Sequence, residues 1–147
     1  MWPSSTAQQA IDAVLCVARG GGEPLRVEGI ATATGLPRNY LSKTLHALSR
    51  AGVLSSSRGP AGGFRLAHAP ERLSLAEVIA PFSRPGRRCL LGRPTCSDRN
   101  PSAAHERWSP IADQFEEYFR TTTIAQLLDD SPAVTRPRLQ KPPRLSK

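Results

Sequence analysis

The chain has 147 residues and a formal net charge of +8, from 20 Lys and Arg against 12 Asp and Glu. Its hydrophobic fraction of 39%, with 14 prolines and 11 glycines, predicts one small domain with loops and a tail outside the core. No apolar run reaches the ~20 residues that cross a bilayer, and the first residues lack the pattern of a signal peptide. We therefore expect a cytoplasmic protein with no membrane partner, whose positive charge favours nucleic acid.

Motifs of catalysis are missing from the sequence. It contains no GxSxG nucleophile motif, no Walker loop and no HExxH zinc motif. Its three histidines, His46, His68 and His105, are scattered and suggest no triad. The sequence therefore predicts a binding protein and not an enzyme.

The first predicted element is a helix over residues 5–18, where apolar side chains recur at helical spacing. Ser5 or Thr6 is expected to cap its start. Cys16 falls within this helix, and a lone cysteine on an apolar face is more often a small buried hydrophobe than a ligand.

Two further helices follow, over residues 27–34 and 37–50, separated by a turn at Gly35. Pro37 suits the first helical turn, where its missing N–H is of no consequence. Two short helices joined by a glycine-bearing turn are typical of a helix-turn-helix.

The next segment predicts a β hairpin with strands over residues 53–56 and 64–67. Its turn is built of small residues around one long cation, Arg58. Glycine allows the backbone to approach a surface closely, its N–H groups can meet phosphates, and an arginine can enter a narrow minor groove. A hairpin directly after a helix-turn-helix predicts a winged helix, although a plain hairpin turn shows the same pattern.

The second half of the chain predicts three more helices and a tail. Ser74 and Glu77 have the spacing of a capping box at the start of a helix over residues 73–82. Residues 102–120 form a longer amphipathic pattern that is rich in aromatic side chains, which predicts pairing with a second copy or, alternatively, packing within one chain. Residues 121–130 predict a final helix capped by Thr122 or Thr123, and the Pro-rich, basic residues 131–147 are expected to be disordered.

Several of these segments resemble bacterial winged helix-turn-helix transcriptional regulators of the IscR/NsrR/CymR type, the Rrf family. They are "YLSKTLHALSRAGVLSSSRGPAGGFRLA", the Leu75–Val78–Ile79 helix, the loop with Cys89, "HERW" and "TTTIAQLL". The resemblance covers roughly residues 5–130. It implies a mainly α fold, a winged helix-turn-helix with a small two-stranded β wing and a long C-terminal dimerisation helix.

The resemblance also implies a division of the chain and a function. We expect a DNA-binding domain over residues 1–83, a cysteine-containing sensor loop over 84–101, a dimerisation helix and terminal helix over 102–130, and the tail over 131–147. The implied function is that of a homodimeric regulator, a repressor, on a pseudo-palindromic operator in double-stranded DNA. Its DNA-binding candidates lie in the recognition helix and in the wing: Arg38, Asn39, Tyr40, Lys43, Arg58, Gly59, Gly62 and Gly63.

Many members of this family hold an iron–sulfur cluster through three cysteines, some with a nearby histidine. Cys89, Cys96 and His105 match the first, second and last positions of that pattern, whereas Ser102 occupies the third cysteine position. A neutral serine hydroxyl is a poor ligand beside thiolate. Some relatives take a carboxylate near the N-terminus from the other subunit, but the corresponding residue here is Gln8 or Gln9.

Four interpretations of this loop stay open. A [2Fe–2S] cluster binds through the two cysteines, His105 and an unnamed fourth ligand; the cluster has been lost; or Cys89 and Cys96 form an oxidant-sensing disulfide, helped by nearby arginines. The fourth is that the serine replaces a cysteine of the natural protein. A bound cluster or a disulfide would order the loop and set the angle between two DNA-reading heads.

Two alternatives to redox control also remain. A clusterless member of the family would answer to a partner protein or a small molecule. A winged-helix adaptor would bind another protein and would show little salt-dependent binding to random duplex DNA.

Overall fold

The computed structural model describes residues 3–83 and 97–128 of the chain. Within these ranges the elements are α1 (Ser5–Arg19), α2 (Val27–Thr34), α3 (Arg38–Arg50), β1 (Leu54–Ser57), β2 (Gly63–Leu66), α4 (Leu75–Ile79), α5 (Ala103–Thr121) and α6 (Ile124–Leu128). Short 3-10 turns cover Pro70–Arg72 and Ala80–Phe82. None of the helices in these two ranges has the length and apolar character needed to cross a membrane. Cys89, Cys96 and the tail over 131–147 lie outside the described residues.

The start of α1 differs from the expected one. The hydroxyl of Ser4, not of Ser5 or Thr6, accepts the N–H of Ala7 at 3.2 Å, so the helix begins one residue after Ser4. The Ser4 side chain is therefore the one that satisfies an otherwise unpaired N–H of the first turn.

The helix-turn-helix is formed by α2 and α3. Helix α2 has the predicted bounds and ends at Gly35, whose φ of 70° lies in the left-handed region that glycine adopts without strain. Pro37 lies at the cap position just before α3, with an extended ψ of 129°, and not in the first helical turn as expected. The carbonyl of Pro37 nevertheless accepts the N–H of Leu41 at 2.9 Å, so it closes the first turn of the helix.

One hydrophobic core joins α1, the helix-turn-helix and the hairpin. Val14 of α1, Ile30 of α2 and Leu45 of α3 are fully buried in it. Cys16 packs against this core but is only half-buried, in partial correction of the buried position expected for it. Burial raises the pKa of the Cys16 thiol, and the nearby positive charge of Arg19 opposes that rise.

The wing is a two-stranded antiparallel hairpin whose strands are displaced by one residue from the expected ranges. Its register pairs Leu54 with Leu66 at one end and Ser57 with Gly63 at the other. Val53 stays in the turn because its N–H donates to the carbonyl of Leu48, near the end of α3, at 3.0 Å.

The bounds of α4, α5 and α6 differ by a few residues from the expected ones. The predicted capping box of α4 is confirmed, with Ser74 and Glu77 bonded reciprocally, but α4 ends at Ile79 because a 3-10 turn containing Pro81 replaces its expected continuation. Helix α5 is displaced by one residue from the expected 102–120. Thr123 is the cap of α6, since its hydroxyl accepts the N–H of Gln126 at 3.4 Å.

Candidate nucleic-acid interface and the His105 site

One face of α3 carries the predicted groove-reading side chains. Arg38 and Asn39 lie exposed in its first turn, and Lys43 is exposed one turn further on. The opposite face holds Leu41 and Leu45 in the core, so α3 is fixed along its length while its polar face stays open.

A carboxylate of the neighbouring helix holds Arg38. Its Nη2 lies 2.5 Å from Oε1 of Glu28 in the first turn of α2, and both side chains are exposed. Glu28 was not predictable from the sequence as a site residue, because only the angle between α2 and α3 brings it to Arg38. The pair orients the guanidinium and leaves other N–H groups of its fork for a ligand.

Tyr40 is turned from the open face towards α1. Its hydroxyl donates to Oγ1 of Thr6 at 2.6 Å, and its ring is only partly exposed. Tyr40 therefore ties the start of the recognition helix to the start of α1, and a contact of Tyr40 with DNA stays a prediction.

The wing turn presents Arg58 and Gly59 to solvent, whereas its two later glycines face inward. The N–H of Gly62 donates to the carbonyl of Gly59 at 3.0 Å, so it is used within the turn. A Cβ on Gly62 would lie 2.4 Å from the carbonyl oxygen of Ser57, and one on Gly63 would lie 2.6 Å from that of Leu25. These two glycines are thus required by the hairpin itself, and their contact with DNA stays a prediction.

Backbone hydrogen bonds fix the wing to the helix-turn-helix. Leu25, just before α2, exchanges both backbone hydrogen bonds with Phe64 of β2, at 2.9 and 2.8 Å. The guanidinium of Arg26 donates to the carbonyl of Pro60 in the wing turn. The position of the turn relative to α3 is therefore set within one rigid unit.

The His105 side chain lies in the first turn of α5 and is 4% exposed. Its Nε2 lies 3.0 Å from Oδ1 of Asp98, while its Nδ1 is buried and has no hydrogen-bond partner within residues 3–83 and 97–128. Because a carboxylate only accepts, Nε2 is the nitrogen that donates to Asp98, and in a neutral imidazole that tautomer carries its lone pair on Nδ1. A ring nitrogen oriented in this way is typical of a metal-binding histidine, whose other nitrogen commonly donates to a carboxylate.

Ser102 has a structural role that its place in the cysteine pattern conceals. Its side chain caps α5 by accepting the N–H of His105 at 3.3 Å. A hydroxyl used in this way is no substitute for a thiolate. Of the expected ligands, only His105 lies in the described ranges, and those ranges contain no cluster of three His, Cys, Asp or Glu side chains able to hold a metal.

Helix α5 leaves part of its apolar surface open. Ala112 is buried, whereas Ile111 and Tyr118 are 45% and 54% exposed. Trp108 and Phe115 stack obliquely beside them, with ring centroids 6.3 Å apart. Large exposed apolar side chains along one helix are typical of an interface.

An exposed recognition helix, a glycine-ended turn and an attached hairpin define a winged helix-turn-helix protein. The sequence profile of the Rrf2 family, described as an iron-dependent transcriptional regulator, matches residues 3–130. A protein of Aquifex aeolicus named among the HTH-type transcriptional regulators is 34% identical over 130 residues, which span 86% of this chain and 90% of that protein. The chain therefore belongs to the Rrf2 family and is a transcriptional regulator, not an enzyme.

Named relatives and solved structures agree with this assignment. The HTH-type transcriptional regulator IscR of Vibrio vulnificus is 26% identical over 134 residues, which span 89% of this chain and 79% of that protein. The structure of CymR, the global cysteine regulator of B. subtilis, has a TM-score of 0.74 at 23% identity and covers 90% of this chain and 99% of its own. That of T. potens IscR has a TM-score of 0.72 at 24% identity, with coverage of 94% and 93%. The fold expected from the sequence is thereby confirmed.

Proposed function

We propose that this regulator is a homodimeric repressor that binds double-stranded DNA at a pseudo-palindromic operator. The recognition helix α3 enters the major groove with Arg38, Asn39 and Lys43, and the wing turn brings Arg58 to the adjacent minor groove. The observation that carries this proposal is that α3 and the wing, which bear these side chains, are fixed in one packed unit. Leu41 and Leu45 fix α3 in the core, and the wing is bonded to the same unit.

Dimerisation through α5 is the second part of the proposal. A two-fold axis would bury Ile111 and Tyr118 of each subunit against the partner helix, and it would place two copies of α3 on one face of the duplex. Half-sites related by the same symmetry would then make the operator pseudo-palindromic.

Selection from a random duplex library tests this function directly. Enriched sequences should contain an inverted repeat, and Lys43→Gln should weaken binding to all duplexes by removing a phosphate contact. Arg72→Gln is the matched control, because Arg72 is also an exposed cation but lies beyond the hairpin, in the Pro70–Arg72 turn. Absence of enrichment, with no binding at low salt, would point to a protein–protein adaptor instead.

A specific observation favours control by a metal group at the loop before α5. Nδ1 of His105 is buried and lacks a partner in the part of the chain that the structure describes, and Asp98 holds the opposite nitrogen. We propose that His105 binds a [2Fe–2S] cluster together with Cys89 and Cys96, and that Asp98 orients the imidazole. Such a cluster supplies a one-electron redox change when bound. Because His105 lies in the first turn of α5, a change in the orientation of its imidazole would be transmitted to this dimerisation helix.

Anaerobic reconstitution with iron and sulfide tests this second proposal. The wild type should acquire iron and visible absorbance, His105→Ala should lose both, and His68→Ala should behave as the wild type. In the protein without iron, nitrogen NMR should find the His105 proton on Nε2. A colourless wild type would favour the clusterless or the disulfide alternative, which mass spectrometry of Cys89 and Cys96 would separate.

A further inference from the structure

A cleft of about 530 Å³ lies between α3, from Ser42 to its end, and the first strand of the wing. Of its lining residues, only Lys43 is among the DNA-binding candidates predicted from the sequence. The lining residues are two cations, one imidazole and three hydroxyls: Lys43, Arg50, His46, Ser42, Ser49 and Ser56.

The charge of this cleft is uncompensated. No carboxylate lines it, and within residues 3–83 and 97–128 neither Lys43 nor Arg50 forms an ion pair. In contrast, Arg38 on the same helix pairs with Glu28. Unpaired cations beside hydroxyl donors are the arrangement that binds a phosphate oxyanion.

The walls of the cleft are held in place. The ring of His46 packs edge-on against Phe64 of β2, with centroids 5.6 Å apart and an interplanar angle of 76°. Ser56 faces Phe64 across the hairpin in the β1–β2 register. The cleft is therefore formed by α3 and the wing together, and it would not exist on the helix alone.

The position of the cleft between α3 and the wing matches the expected position of a sugar-phosphate strand of duplex DNA. When α3 lies in the major groove and the wing turn lies at the minor groove, the sugar-phosphate strand that separates the two grooves must pass between them. The cleft lies between α3 and β1, where such a strand would pass. We propose that it is a phosphodiester-binding site, in which Arg50, His46 and Ser56 hold the backbone strand between the two grooves. This inference rests on the proposed DNA-binding function and adds to it a site that reads no base.

Salt-dependent binding to a short random-sequence duplex tests the site. Arg50→Gln should weaken binding by about tenfold and should reduce the slope of log affinity against log salt by about 0.9 for each cleft engaged. Ser56→Ala should weaken binding without changing that slope, because it removes a hydrogen bond but no charge. Arg72→Gln, which removes an exposed cation outside the cleft, should alter neither quantity by a comparable amount.

Two further measurements distinguish binding of the DNA backbone from binding of free inorganic phosphate. Arg50→Gln should reduce affinity by the same factor for random duplex and for a selected operator, since a backbone contact carries no sequence information. Inorganic phosphate alone should give no saturable shift of the His46 ring signals in NMR. Unchanged DNA affinity and salt slope in Arg50→Gln, while the wild type binds duplex normally, would overturn this proposal and leave the proposed function intact. A saturable site for inorganic phosphate would also overturn it.

Discussion

The exposed apolar face of α5 allows the proposed dimer to be tested quantitatively. Ile111 and Tyr118 keep 45% and 54% of their surface open in the single chain. Since full burial of a large apolar side chain contributes about 1.5–3 kcal/mol, covering the open half of each contributes about 1 kcal/mol. A two-fold interface counts each side chain twice, which gives about 4 kcal/mol for the pair in both subunits.

The double variant Ile111→Ser, Tyr118→Ser should therefore raise the dimer dissociation constant by about 10³. Sedimentation equilibrium over a range of concentrations measures this constant. Glu106→Ser is the control, because at about 100° per residue its side chain lies about 140° from that of Ile111 around α5. A dissociation constant that is unchanged in the double variant, or equally raised in the control, would refute the placement of the interface on this face.

Three other predictions concern the wing, the capping box and Arg38. Gly62→Ala should lower the free energy of unfolding, measured in urea, by about 2 kcal/mol, because the added Cβ meets the Ser57 carbonyl. Gly29→Ala should instead raise the free energy of unfolding by about 0.5–1 kcal/mol, because Gly29 lies in α2 with open space around it. Hydrogen bonds from Ser74 lower the pKa of Glu77 below its ordinary 4.5, so the contribution of its charge to stability is full above that value and is lost as pH falls further. The stability difference between wild type and Glu77→Gln should thus narrow below that pH in thermal unfolding; a constant difference would contradict the assignment. Glu28→Gln should raise the affinity for random duplex DNA and reduce the preference for a selected operator by about 1 kcal/mol, because Glu28 no longer orients Arg38 towards a base. An increased preference for the operator would contradict this orienting role of Glu28.

Features that depend on neighbouring residues were predictable from the sequence. The bounds of α2, the glycine that ends it and the Ser74–Glu77 capping box all follow from spacings of a few residues. The observed helix caps and strand ends lie one or two positions from the predicted ones, because neighbouring elements compete there for the same backbone N–H and carbonyl groups. The N–H of Val53, for example, is taken by the end of α3 and not by the wing.

Contacts between elements that are distant along the chain were not predictable from the sequence. Arg26 meets the carbonyl of Pro60 across 34 residues of sequence, and Glu28 meets Arg38 only because two helices cross. The partner of His105, Asp98, lies seven residues earlier and before α5 begins, so helical spacing offers no guide to this contact. The sequence placed Ser102 inside the helix, and its capping role became visible only because α5 begins one residue later, at Ala103.

The salt dependence of duplex binding tests the central claim most directly. If two recognition helices and two wings contact about 6–10 phosphates, the affinity of the wild type for duplex DNA should fall by about 10³–10⁵ between about 50 and 200 mM salt. Fluorescence anisotropy with a labelled duplex measures that fall. An affinity that does not change with salt, or no binding at the lowest salt, would contradict the account of this protein as a DNA-binding regulator.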